Sequence, residues 1–166
     1  QAGPRTAGVP PTRFDYAQAA VHFASSGQSA ALPPGTQDEL SVVLQLGAWL
    51  AGDARRFEPG QTFELPIAGS DAVQPSRWLV DGAETITALG GQSVQAFKLT
   101  RLPLSGQGAT ASARLEVWLA EAMDYLPARL RWSWPDGTAV DAVVDTARLN
   151  RTDPAATTAP AAAGAR

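Results

Sequence analysis

A mainly β fold, an antiparallel sheet packed on one central buried helix with disordered Pro/Ala-rich ends, is predicted by three features of the sequence. Hydrophobic residues alternate with period two through most of residues 61–146. One stretch, Leu40 to Gly52, is uncharged and apolar at helical spacing. The ends, 1–12 and 151–166, hold almost nothing to bury, and such segments cannot offset their ordering entropy. Between them, 13–150 reads as one β-rich domain.

The helix is predicted over about residues 37–51. Thr36 and Glu39 have the S/T-x-x-E spacing of a capping box, and Asp38 adds negative charge at the positive end of the dipole. Leu40, Val43, Leu44, Gly47, Leu50 and Ala51 mark one face; Val42, Leu46 and Trp49 occupy another. A helix apolar most of the way round is expected to be buried on more than one side. Gly52-Asp53 ends it.

Elsewhere the pattern is that of strands. Phe14, Tyr16, Val21 and Phe23 predict an early strand within 13–23, and Phe63, Leu65 and Ile67 predict another, with Pro66 favouring an edge. Arg77 to Val80 is a strand stopped by Asp81-Gly82. Residues 84–89 and 93–101 flank Gly90-Gly91, read as a two-residue hairpin turn.

The C-terminal strands, 113–120, 127–134 and 138–146, are the most informative. Pro135-Asp136-Gly137 is a turn that sets Trp132 opposite Val140 and Leu130 opposite Ala142. Pairing Ala120 with Pro127 sets Val117 opposite Leu130 and Leu115 opposite Trp132. Both turns yield one apolar face and one charged face, and a one-residue slip in either would scramble them. Arg131 then lies between Glu116 and Asp141, and Arg129 lies opposite Trp118. The structural reading is a cross-strand ion ladder with a cation–π contact, each pair contributing about 0.2–1 kcal/mol, and the functional alternative is an arginine site for an anionic ligand.

Composition narrows the function. A pI of 5.1 and a net charge of −3 exclude a basic nucleic-acid binder. The absence of cysteine excludes a disulfide scaffold and thiol chemistry. No apolar run is long enough for an integral membrane helix. Leu, Ile, Val and Phe supply only 34 of 166 residues, so the core is modest and the five tryptophans matter to it. The single histidine, His22, has no metal-ligand spacing around it, and Gly106-Gln107-Gly108 lacks the strand-to-helix context of a phosphate cradle. No catalytic residue, metal or cofactor is predicted, and the protein is read as not an enzyme. Trp78, Trp118, Trp132 and Trp134, with Phe63 and Phe97, invite sugar or lipid binding, although core filling is favoured for Trp78 and Trp132. The candidate ligand or partner residues are Trp118, Arg129, Arg131, Trp78 and Trp132.

Gln37-Asp38-Glu39-Leu40-Ser41, followed by Gln45-Leu46, resembles a segment of the bacterial envelope family called domain of unknown function 3108. So does Glu116-Val117-Trp118-Leu119-Ala120 with Tyr125-Leu126-Pro127-Ala128-Arg129-Leu130 and Asp136-Gly137. Glu39 stands where Arg is usual and Ala128 where Val is usual. The resemblance implies an exported protein, periplasmic or outer-membrane-associated, and a chain that is the C-terminal part of a longer member. By analogy it also implies that the sheet is curved, similar to the open half-barrels of periplasmic lipoprotein carriers. The first expectation for function is a non-catalytic module binding an acyl chain or lipoprotein segment on the concave apolar side of the sheet. The alternative is a structural or protein-docking module of the envelope, and a remote one is a carboxylate-dependent glycan hydrolase.

Overall fold

The computed structural model describes residues 12–53, 55, 57–102 and 113–146. The expectations for the two tails and for Gly106-Gln107-Gly108 lie outside the described residues, except that Thr12 already belongs to a strand. Strands β1 (Thr12–Asp15), β2 (Ala20–Phe23) and β3 (Gln28–Ala31) form a small antiparallel sheet. A two-residue strand, β4 (Gln37–Asp38), leads into helix α1 (Ser41–Asp53). Then come β5 (Thr62–Ala68), β6 (Val73–Ala88), β7 (Gln92–Leu102), β8 (Arg114–Ala120), β9 (Leu126–Ser133) and β10 (Ala139–Val143). The large sheet has the order β10-β9-β8-β7-β6-β5-β4, antiparallel except for β4 on β5. It is a curved half-barrel packed against the one long helix.

The predicted register holds where two turns defined it. Leu115 lies opposite Trp132, Val117 opposite Leu130, Trp132 opposite Val140 and Leu130 opposite Ala142. Beyond Trp118 it departs from prediction. Ala128 is an extra residue, so Ala120 pairs with Leu126 and Leu119 with Pro127. Such a bulge increases local twist and helps the sheet to curl.

Several elements differ from the sequence reading. The early strand is two strands and a turn. The hairpin loop is Leu89-Gly90-Gly91, all three at positive φ, because Ala88 pairs with Gln92. The helix begins at Ser41, not 37, and Thr36 and Glu39 do not cap it. Thr36 is buried and its hydroxyl donates to the Pro33 carbonyl at 2.6 Å. Asp38 does the capping. Its Oδ1 accepts from the amides of Leu40 (2.8 Å) and Ser41 (2.7 Å), while Ser41 Oγ accepts from the Asp38 amide at 2.9 Å. This is capping-box reciprocity shifted two residues along. Glu39 pairs instead with Arg101 at 2.5 Å, tying the start of the helix to β7.

Only one side of α1 is buried, by Val42, Val43, Leu46, Gly47 and Leu50. Leu40, Leu44 and Ala51, predicted inside, are exposed, and Trp49 is 39% exposed. The buried side meets Leu65, Ile67, Trp78, Val80, Leu99, Leu115, Val117 and Leu119 to make the main core.

Asp81 splits β6 into two functional halves. Val80 pairs with Leu99 and Gly82 with Lys98, so Asp81 is the extra residue of a bulge where a strand end was expected. Before it, Trp78 and Val80 face the helix; after it, Ile86 and Ala88 face the other side. The β6–β7 hairpin then overhangs. Leu89 lies five residues past Glu84, the partner of Ala96, where β8 pairing ends; at about 3.3 Å per residue that is roughly 17 Å. The overhang curls back over the outer face, and the Leu89 amide donates to the Val144 carbonyl at 2.7 Å. Beneath it Ile86, Ala88, Val94 and Ala96 pack with Trp118, Ala120, Met123 and Ala128 as a second core. The small sheet adds a third, Val21 and Phe23 against Ala68.

At Gly47 the helix lies against the β8–β9 turn so closely that a Cβ would collide with the Tyr125 carbonyl oxygen. Tyr125 is fixed there by the β8–β9 turn, in which it and Asp124 both adopt left-handed φ. Replacing Gly47 with Ala is expected to cost about 1–3 kcal/mol in urea denaturation. Gly52→Ala, with open space around it, is expected to be neutral or slightly stabilising.

Candidate functional site

Trp118, a candidate ligand or partner residue opposite Arg129, lies on the charged face. It is covered. The residue is 4% exposed, with Arg129 Cζ 4.8 Å and Lys98 Nζ 4.9 Å from the ring centroid. Its indole N–H donates to Glu84 on the overhanging hairpin. Arg129 Nε donates to Asp141 at 2.8 Å, and Lys98 pairs with Glu116 at 2.8 Å. The Trp118 ring is thus sealed between two partly solvated cations, each with its own carboxylate.

Arg131 sits between Glu116 and Asp141 in register, as expected, but the ion pairs run to other partners. Glu116 turns to Lys98 and Arg114, and Asp141 reaches diagonally to Arg129. Arg131 is exposed and forms no ion pair among the described residues, though its charge still favours ionised Asp141. Trp78 is fully buried in the main core, and Trp132 packs at its margin. The five candidate residues therefore do not converge on one site: two belong to the sealed network, two to the core, and Arg131 to the surface.

Open space lies elsewhere. Between the C-terminal half of α1 and the start of β5 is a cleft of about 630 Å³, within the range of small-molecule sites. Trp49, Phe57 and Phe63 supply its aromatic surface, and Asp53, Gln61 and Thr62 part of its polar rim. Phe63 holds the cluster together. Its centroid lies 6.3 Å from that of Trp49 and 5.7 Å from that of Phe57, both edge-to-face.

The local sequence explains this arrangement. Trp49 falls outside the stripe formed by Val42, Val43, Leu46 and Leu50, so it stands at the edge of the helix footprint. Gly52 contributes no side chain, and Asp53 ends the helix. Phe63, Leu65 and Ile67 share the inner face of β5, and burial decreases toward Phe63 as the helix ends. Trp49 and Phe57 were not among the candidate residues. The available signal was a tryptophan beside Gly52-Asp53, off the best helical stripe, with a phenylalanine just beyond.

His22 lies in the small sheet, its Nδ1 2.7 Å from Ser29 Oγ. Among the described residues no group of three or more His, Cys, Asp or Glu is placed to hold a metal, and no helix is long and apolar enough to cross a membrane.

The Arg129 hydrogen bond is the main cause holding the Asp141 carboxyl below its ordinary value, and the same bond raises Arg129. A lowered carboxylate stabilises the fold fully above its unfolded value and loses that contribution as pH falls through the folded one. Asp141→Asn is expected to destabilise by about 0.2–1 kcal/mol at neutral pH, because both partners are partly solvated. In paired urea titrations the difference stays constant from pH 7 down to about pH 5 and declines on further acidification.

No curated protein and no solved structure matches the chain. Residues 11–144 match the model of a family described as a protein of unknown function, DUF3108, and the chain belongs to that family.

Proposed function

We propose that this domain is a non-catalytic binding module of the bacterial envelope that takes a hydrophobic ligand, an acyl chain or lipoprotein segment, in the α1–β5 cleft. The observation that carries the reading is the cleft itself, about 630 Å³ with Trp49, Phe57 and Phe63 on its walls. The concave side of the sheet, first expected to hold the ligand, is occupied from β5 to β8 by α1 and its core partners. What supports a ligand at the end of the helix is a partly exposed indole with two phenyl rings beside it, in a cleft whose lining also includes Asp53, Gln61, Thr62 and Glu64. An apolar body would lie on the rings while a polar head stays in water beside Asp53 and Gln61. Placement in the periplasm or at the outer membrane belongs to the same proposal and rests on the envelope character of the family resemblance.

N-Phenyl-1-naphthylamine, an uncharged fluorescent probe, tests it. The protein is expected to bind the probe at micromolar concentration, and Trp49→Ala to weaken binding about tenfold through loss of aromatic contact area. Trp118→Phe is expected to leave affinity unchanged. Equal binding by Trp49→Ala and the parent protein would remove the cleft as the site.

A further inference from the structure

The cleft runs along the edge of a strand. Gln61, Thr62, Phe63 and Glu64 all line it. Successive side chains of a strand point to opposite faces, so what these consecutive residues share is the open edge of β5. The backbone of that edge has no partner among the described residues. At the two ends of the β5–β6 ladder the Val80 amide donates to the Gln61 carbonyl and the Gly69 amide to the Ala72 carbonyl, both at 2.9 Å. Odd-numbered residues of β5 therefore bond β6, and the even-numbered Thr62 and Glu64 aim their N–H and C=O the other way. Pro66 fits the same alternation: it lies opposite Pro75, and neither has an N–H to give the ladder. On the outer side β4 pairs only with Ile67 and Ala68. Just upstream the Thr36 amide donates to the Pro33 carbonyl in a turn, so β4 does not extend along Thr62–Leu65.

We infer, resting on the cleft as the ligand site, that its ligand is an extended polypeptide segment and not a lone acyl chain, added as a strand to the open edge of β5 at Thr62–Glu64. The N–H and C=O groups of Thr62 and Glu64 offer main-chain hydrogen bonds that a peptide uses and an acyl chain cannot. A strand added there turns every second side chain toward the inner side of β5, where the Phe63 ring packs against those of Trp49 and Phe57. Its remaining side chains fall beside those of Thr62 and Glu64, which are exposed. Hydrogen bonds thus supply the pairing and the aromatic residues supply the preference for apolar side chains at alternate positions. The free edge from Thr62 to Leu65 is about 13 Å long at the usual strand rise, room for about four residues of a partner. An open strand edge beside apolar side chains is a template for another chain.

The probe is the peptide acetyl-Lys-Thr-Phe-Thr-Phe-Thr-Lys-amide, compared with a counterpart N-methylated at every residue, which keeps charge and side chains and has no backbone N–H. In the free chain the amides of Thr62 and Glu64 are expected to exchange rapidly with deuterium by NMR, while those of Phe63 and Leu65, bonded to β6, exchange slowly. The peptide is expected to slow Thr62 and Glu64, and the N-methylated form to bind at least about tenfold more weakly. Glu64→Pro removes an edge donor and leaves the β5–β6 ladder its bonds, as Pro66 already does two residues on. It is expected to bind the peptide at least about tenfold more weakly than Glu64→Ala, which loses the same charge. Slow exchange at Phe63 and Leu65 verifies the ladder in both variants, and the N-methylated comparison needs no variant at all. A Glu64 amide already protected in the free chain, equal binding by the two variants with the ladder intact, or equal binding of the two peptides would each overturn the inference. Binding of N-phenyl-1-naphthylamine without the peptide would overturn it and leave the cleft as a ligand site, whereas binding of neither would overturn both.

Discussion

Asp81 is one residue too many for the ladder between β6 and β7, and its position decides which side of the sheet every later residue of β6 faces. Before it, the even-numbered residues Trp78 and Val80 pack on the helix; after it, the even-numbered Ile86 and Ala88 pack on the opposite side. Gly82 follows at φ +109° with its Cα against Pro59, so the chain turns here with little room for a side chain. The side chain of Asp81 contributes as well, accepting from the fully buried Thr100 hydroxyl at 2.7 Å. A strand without the extra residue would carry one apolar face along its whole length and leave the outer side of Trp118 bare.

The second half of the hairpin can therefore fold back over the sheet. It brings Glu84 to the Trp118 indole and Leu89 to Val144, and it roofs a core on the face opposite the helix. The helix fills the inner face from β5 to β8 and the hairpin covers the outer face around Trp118, while β10 stays exposed along its length. Space remains where α1 ends before β5 does. There the aromatic residues that would have continued the core stand in a cleft open to solvent.

The legible parts of the sequence were those with two constraints on one decision. β8, β9 and β10 are joined by two turns, and each predicted the same inward residues, so the register from Arg114 to Trp118 and the Arg129–Trp118 stack followed, while the Ala120–Pro127 pairing was displaced by the bulge at Ala128. At the start of the helix the Thr36-x-x-Glu39 spacing overlaps Asp38-x-x-Ser41, the pair that caps it. Spacing does not separate them, because the choice depends on β4 pairing with β5 just upstream. Outward Leu40 and Leu44 were misplaced for a related reason: a helix apolar all round does not declare which side meets the sheet. The Asp81 bulge was read as a strand end, since Asp-Gly is also turn chemistry. A strand that ends at Asp81 has no overhang past Glu84, and the Glu84 contact that helps to bury the Trp118 indole depends on that overhang.

The central claim is that one tryptophan of five, Trp49, meets the ligand, while Trp78 and Trp118 are sealed into cores. Fluorine NMR of the 5-fluorotryptophan-labelled protein, titrated with N-phenyl-1-naphthylamine, resolves the five side chains separately. The account predicts that the Trp49 resonance shifts and that those of Trp78 and Trp118 do not. Movement of the Trp118 or Trp78 resonance with Trp49 unchanged would contradict it and return the site to the sheet.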